Sequence, residues 1–255
     1  FFFHCYFILT IKAVMYPILF HIYGFEFYTY PIVIFIGILV SSYVFIRLCF
    51  SKKLIIDFFS DYLWLFAGSS FVFARIGGIL ETPYAYTLEP IKILNVLDGG
   101  YNFYAGILGF LVSFLLVSSL KKENFWKWMD TLSLSFLLFT LFLFIAEFLA
   151  GKNYGLPSDL PWAIVFNIPE VRYTIPIHPV QLYKLLLVSA LLLFLYVHAK
   201  KRLYDGVISS YALFGFFLIQ AVLSFFHGSL EMLFFDLRLS FLLSALASLL
   251  FLVIL

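Results

Sequence analysis

Between Asp205 and Glu231 the chain runs for 25 residues without a Lys, Arg, Asp or Glu. A helix needs about 20 apolar residues to cross the hydrocarbon of a bilayer. That layer offers no water, so backbone N–H and C=O groups must satisfy one another, and an α-helix does this within one segment. Other apolar windows recur along the chain, which is 64% hydrophobic and only 12% charged, with a mean hydropathy of +1.06. Soluble domains hold roughly 45–50% apolar residues. The composition therefore predicts an all-α, polytopic membrane protein whose surroundings are the lipid bilayer. A net charge of +2 is too small to point to a nucleic-acid partner.

Apolar windows between polar breaks place about seven transmembrane helices, at roughly 30–50, 62–80, 104–120, 130–150, 179–199, 207–227 and 238–255. Connections after the first, third and fifth hold Arg47, Lys52, Lys53, Lys121, Lys122, Lys127, Lys200, Lys201 and Arg202. The opposite side holds Lys12, Lys92, Lys152, Arg172 and Arg238. The basic-rich side is expected to be cytoplasmic, with the N-terminus outside and the C-terminus inside. Two longer segments, 81–103 and 151–178, then face outward and carry Pro, Gly, Tyr, Asn and Asp. Loops beyond about 12–15 residues tend to be functional, so chemistry is expected on the outer half of the membrane.

Few polar residues interrupt the apolar windows. Arg75 lies near the outer end of the second helix beside Gly77 and Gly78. An intramembrane arginine is a functional candidate, here for a phosphate, with an ion pair to Glu81 or Glu147 as the structural alternative. Glu147 sits inside the fourth helix as a base or as a partner for Arg75 or Lys152. His178 precedes Pro179 at a helix start, followed by Gln181, Tyr183 and Lys184. A histidine near neutral pH can accept a thiol proton. Tyr28, Tyr30, Tyr101 and Tyr104 fit an interfacial aromatic belt, and His4, His21, His198 and His227 read as interfacial anchors. Neither the histidines nor Cys5 and Cys49 have metal or redox spacing, so no metal and no cofactor is expected.

Seven segments in order carry a family resemblance. They are MYPILFHIYGFEFYTYP (15–31), FARIGGIL (73–80), EPIKILNVLDGGYNFYAGILG (89–109), FWKWMD (125–130), AGKNYGLPSDLPWAIVF (150–166), IHPVQLY (177–183) and RLYDG (202–206). Together they resemble the prolipoprotein diacylglyceryl transferases of the bacterial cytoplasmic (inner) membrane. The resemblance begins at Met15, which suggests one domain over 15–255 and sets 1–14 apart as an N-terminal extension. It implies a reaction in lipoprotein biogenesis in which a lipobox cysteine thiolate attacks the glyceryl carbon of phosphatidylglycerol. Glycerol 1-phosphate leaves and a thioether forms, so the implied partners are phosphatidylglycerol and the prolipoprotein signal peptide. Carried over by motif, His178, Tyr30 and Tyr104 take catalytic roles. Arg75, Glu147, Gly151, Lys152, Tyr154, Gly155, Gln181 and Tyr183 take substrate-binding roles.

The chain also departs from the family pattern. Phe144 stands where the family carries an arginine, Glu147 and Ala150 replace asparagines, and Lys152 and Lys184 replace glutamates. Gln220 and Ser224 lie nearest a further Arg-x-x-x-Glu pair. Losing cations that face the phosphate removes several kcal/mol of transition-state stabilisation unless Lys152 and Lys184 replace them. The alternative is a catalytically silent descendant that binds lipid or acts as a scaffold subunit.

Overall fold

A computed structural model describes residues 11–12, 17–22, 25–88, 90–93, 95, 99–166, 171–199, 204–228, 233–234 and 237–254. The Met15 boundary, most of the 1–14 extension and the basic turn at 200–202 lie outside these residues. The helices are α1 (Thr29–Ser51), α2 (Ile56–Asp61), α3 (Leu63–Glu81), α4 (Pro83–Leu88), α5 (Phe103–Lys121) and α6 (Phe125–Leu149). They continue with α7 (Val180–Ala199), α8 (Val207–Ser224) and α9 (Leu239–Ile254). Six of them (α1, α3, α5, α6, α7 and α8) are long and apolar enough to cross a membrane. Helix α9 is apolar but has only 16 residues, about 24 Å at 1.5 Å per residue. The protein is polytopic and all-α, as the composition requires.

Small polar side chains share the buried interior with apolar ones, and many large apolar side chains are exposed. Ser118, Thr131, Thr140 and Ser244 are fully buried, while Phe35, Phe50, Leu80, Leu186, Leu193 and Val253 are exposed. Lipid tails are as apolar as leucine, so small residues and hydrogen bonds contribute to helix association beside apolar packing.

Some boundaries move for local reasons. Helix α6 begins at Phe125, before the expected 130, because Asn124 Oδ1 caps it by accepting from Lys127 N at 3.1 Å. Helix α8 stops at Ser224, and 226–228 turn aside to pair with 154–156. Short elements that hydropathy does not show include α2, α4, a 3₁₀ turn at Pro90–Ile93 and three two-stranded ribbons. The ribbons pair β1 (Ile11–Lys12) with β4 (Ile164–Val165), β2 (Ile18–Ile22) with β3 (Phe25–Tyr28), and β5 (Leu233–Phe234) with β6 (Leu237–Arg238).

The chain divides into two compact units, Ile46–Met129 and the combination of Phe1–Phe45 with Asp130–Leu255. In the first, α3 and α5 meet through small residues. Ser70 Oγ donates to Gly106 O at 2.9 Å and Ser69 Oγ to Gly109 O at 3.0 Å. Backbones approach this closely only where no Cβ intervenes: one added at Gly109 would collide with Phe73 and the Ser69 carbonyl.

In the second unit α8 packs against α7 and α9. Its start is fixed by Asp130, buried at 3% exposure, whose carboxylate accepts from Gly206 N at 3.0 Å and Ser209 N at 2.8 Å. Ile164, Phe166, Val171 and Ile177 of the 151–178 segment form a small apolar core of their own.

Candidate active site

The C-terminus of α6 creates the first part of the site. Gly151 adopts a left-handed φ of 64°, Gly151 N donates to Phe148 O, and Lys152 N donates to Glu147 O at 2.8 Å. This paired 6→1 and 5→2 pattern is a Schellman motif, and it needs a residue tolerant of positive φ, usually glycine. It folds Lys152 and Asn153 back beside Glu147. The Asn153 amide donates to Glu147 Oε1 at 2.7 Å, while Glu147 Oε2 is buried without a hydrogen-bond partner. Lys184 and Lys152 both lie within electrostatic reach of the Glu147 carboxylate. Lys152 Nζ stands 4.1 Å from the centre of the Tyr30 ring, a close cation–π contact.

Helix α7 brings the second part. Gln181 and Lys184 are both buried and lie one turn apart on the same helix face. The Gln181 amide donates to Lys152 O at 2.6 Å, and its Oε1 has no partner. Lys184 Nζ lies 5.8 Å from the Phe144 ring centre.

Gly155 positions the third part. Gly155 N donates to His178 O at 3.1 Å, His178 N to Leu156 O at 2.9 Å, Leu156 N to Phe226 O at 2.8 Å, and Gly228 N to Tyr154 O at 2.8 Å. The 154–156 segment is thus held between 177–178 and 226–228. A Cβ at residue 155 would collide with the His178 carbonyl and lie 2.6 Å from the His178 Cβ. Glycine is required there by contact, since no positive φ is involved.

On one flank of Gly155, His178 Nδ1 lies 3.3 Å from the Tyr183 hydroxyl, which also accepts from Trp162 Nε1 at 2.8 Å. Partial burial lowers the His178 pKa below its ordinary value, which favours the neutral ring. When Nδ1 donates to Tyr183, Nε2 carries a lone pair and can take a proton. When Tyr183 donates to Nδ1, Nε2 is a donor instead.

On the other flank, His227 is buried at 7% exposure and its Nδ1 has no partner. It is therefore not an interfacial anchor. Burial, then the charges of Lys184 and Arg238, push its pKa down to about 3. Arg238 arrives on β6 with a buried Nη1 that also lacks a partner.

Among the expected site residues, Tyr30, Glu147, Gly151, Lys152, Tyr154, Gly155, His178, Gln181 and Tyr183 all fall in the unit built from Phe1–Phe45 and Asp130–Leu255. The structure links them through the contacts above. Tyr154 supports the loop by accepting from Arg172 N at 3.2 Å and meeting Tyr173 edge-on.

Arg75 and Tyr104 belong to the other unit. Arg75 is buried and donates to the carbonyls of Lys92, Ile93, Asn95 and Gly99, with Tyr86 and Tyr101 rings each 5.4 Å from its Cζ. Its described bonds hold together the backbone at 92–93, 95 and 99. Tyr104 lies in the first turn of α5.

Asn153, His227 and Arg238 escaped the sequence reading as site residues. Asn153 has a signal in hindsight, because an Asn two residues beyond a helix-ending Gly is a candidate for positive φ, and its φ is 52°. His227 and Arg238 carry no local pattern; only the folded chain brings His227 within electrostatic reach of Lys184 and Arg238.

Comparison with known proteins gives one consistent result. The family model described as prolipoprotein diacylglyceryl transferase matches residues 17–255. The Pasteurella multocida phosphatidylglycerol–prolipoprotein diacylglyceryl transferase is 29% identical over 66% of this chain and 60% of its own length. The enzyme of the same name from Cupriavidus pinatubonensis is 32% identical over 56% of this chain and 51% of its own. That from Campylobacter hominis is 30% identical over 74% of this chain and 71% of its own. The chain spans about half the length of most of the curated relatives it matches.

Proposed function

This chain belongs to the prolipoprotein diacylglyceryl transferase family, and we propose that it catalyses diacylglyceryl transfer from phosphatidylglycerol to a lipobox cysteine thiol. The observation that carries this reading is the pair of buried charges Glu147 and Lys184, at the end of α6 and the start of α7, with the exposed Lys152 within electrostatic reach of the same carboxylate. Transfer breaks the bond between the glyceryl carbon and the phosphate oxygen, forms a carbon–sulfur bond, and leaves negative charge on glycerol 1-phosphate. Cations preorganised in a site with little water stabilise that charge. Lys152 and Lys184 supply them in place of arginines, as point charges and not forks.

The thiol proton must go to a base before or during attack. We assign this to Nε2 of His178, with Tyr183 and Trp162 fixing its ring. Tyr30 holds Lys152 through its ring face. Gly151, Tyr154 and Gly155 shape the loop, and Gln181 ties it to α7. Arg75 organises the 92–99 loop, and Tyr104 is offered as a further substrate contact from α5. The site faces the outer leaflet of the bacterial inner membrane, with the N-terminus outside and the C-terminus cytoplasmic. The basic-residue distribution supports this orientation. The family match runs unbroken across both compact units, which supports one functional domain over 15–255.

One observation favours the silent reading. Phe144, aligned with a family arginine, is 2% exposed and packs its ring toward Lys184. Purified protein offered phosphatidylglycerol and a lipobox peptide separates the two. Mass-spectrometric detection of the thioether, lost in His178→Ala, supports transfer. Absence of product beside an active family member supports the lipid-binding or scaffold role.

A further inference from the structure

Backbone pairings through the 151–178 segment join five short stretches edge to edge, all in one compact unit. Residues 226–228 pair with 154–156, and these pair with 177–178. Ile177 exchanges two backbone hydrogen bonds with Ile164, at 3.1 and 3.0 Å, and β4 pairs in parallel with β1. Among the described residues, Ile11–Lys12 is therefore the outermost strand on this side. It lies one strand beyond β4 and two beyond the stretch that carries His178.

Three observations mark the β4 edge as a docking edge under a slight cover. Backbone hydrogen-bonding groups alternate sides along a strand. Ile164 spends both of its own on Ile177, so those of Val165 point the other way, toward β1. The stretch LPWAIVF (160–166) carries no charge, and its Leu160 and Trp162 are exposed. An apolar edge without charges pairs readily with another chain unless something covers it. The cover itself is small. Its register holds two pairs among the described residues, Ile11 with Ile164 and Lys12 with Val165, and the family match begins beyond it, at residue 17.

We propose that Ile11–Lys12 is a displaceable cap on the β4 edge, and that it gives way to an extended peptide recognised through its main chain by strand addition. The identity of that peptide, the lipobox-bearing end of the substrate, rests on the transferase reading; the cap does not. Two strand spacings put the added peptide about 10 Å from the 177–178 backbone. A chain leaving the edge reaches His178 within about three residues. Cap and peptide compete for the same backbone groups, so apparent peptide affinity scales with the fraction of molecules whose edge is open.

The test uses the full chain in phosphatidylcholine nanodiscs and a fluorescent lipobox peptide with serine in place of its cysteine, so binding is read without turnover. Proline removes a backbone N–H and weakens strand pairing. The Ile11→Pro/Lys12→Pro variant is expected to bind the peptide about tenfold more tightly than the parent, one net hydrogen bond's worth of competition. A peptide with an N-methylated backbone is expected to show no such gain. In the unmodified parent, saturating peptide is expected to speed amide exchange at residues 11 and 12 while Val165 stays protected. Equal affinity in parent and variant, or exchange at 11 and 12 that peptide leaves unchanged, overturns the cap. An equal gain with the N-methylated peptide overturns main-chain recognition. A variant that runs as a dimer without gaining peptide affinity gives the edge to a second copy and overturns the peptide assignment. Displacement of the cap by a peptide that is never converted to thioether keeps the cap and loses the transferase reading. Thioether formation with equal peptide affinity in parent and variant does the reverse.

Discussion

Replacing Gly155 by alanine tests how the site is assembled. The added Cβ would collide with the His178 carbonyl and come within 2.9 Å of the Val180 side chain. The obstacle is partly backbone, so no rotamer change relieves it. The segment at 154–156 must separate from 177–178, and its bonds of 2.8 to 3.1 Å to His178 and to 226–228 lengthen or break. Overpacking of this kind costs about 1–3 kcal/mol. For a chain of this size that lowers the unfolding temperature by roughly 2–4 °C per kcal/mol. His178 and His227 flank residue 155, so a displacement near 1 Å is also expected to cut transfer about a hundredfold. The internal control is Gly68→Ala on α3, where an added Cβ meets nothing within 4 Å. A helix-interior glycine replaced without a clash gains about 0.5–1 kcal/mol. Thermal unfolding in detergent, followed by intrinsic fluorescence beside the thioether assay, reads both. Equal shifts in the two variants, or a Gly155→Ala protein of parental stability and activity, would refute the packing argument.

Three further outcomes follow from particular residues. His227 has its pKa pushed down to about 3, against about 6.5 in an unfolded chain. As pH falls below 6.5 the unfolded state gains a proton that the folded state refuses, so stability drops by up to about 1.4 kcal/mol per unit. Denaturation between pH 6.5 and 5 should show this loss, about 2 kcal/mol in all, and His227→Gln should flatten it. Asp130→Ala strands the N–H groups of Gly206 and Ser209 that its carboxylate now accepts. The expected cost is about 2–4 kcal/mol by thermal unfolding, with Asp130→Asn retaining part. Arg75→Lys keeps the charge but not the fork that reaches four carbonyls of the 92–99 loop. Faster hydrogen exchange is expected at residues 90–100, with the α3–α5 contact intact.

Hydropathy made the spans legible because the bilayer imposes one rule, internal backbone pairing, on every segment that crosses it. It could not show where α6 begins, since Asn124 caps that helix from within a polar break. It could not show α4 or the 3₁₀ turn inside 81–103, which form where interfacial chain folds over Arg75. Glu147, Gln181 and Lys184 stood out as candidates because a charge or amide is conspicuous in an apolar sequence, and all three are buried, whereas Lys152 is exposed. Their grouping was also local, one helix end and one helix start. Arg75 was legible as important but not as a loop clasp, because carbonyl acceptors leave no mark in a sequence. His227 and Arg238 were hidden for a related reason. Each looks ordinary in its own segment, and only the folded chain brings His227 beside Gly155 and within electrostatic reach of Lys184 and Arg238.

The most direct measurement is single-turnover release of glycerol 1-phosphate from phosphatidylglycerol on mixing with a lipobox thiol peptide. It compares the parent protein with Lys184→Met and Lys184→Arg. If lysines have taken over the anion-stabilising role, the parent turns over, the methionine variant slows about 10²–10³-fold, and the arginine variant keeps most of the rate. Release that is undiminished in Lys184→Met, or absent from the parent while a family member reacts alongside, would contradict that claim.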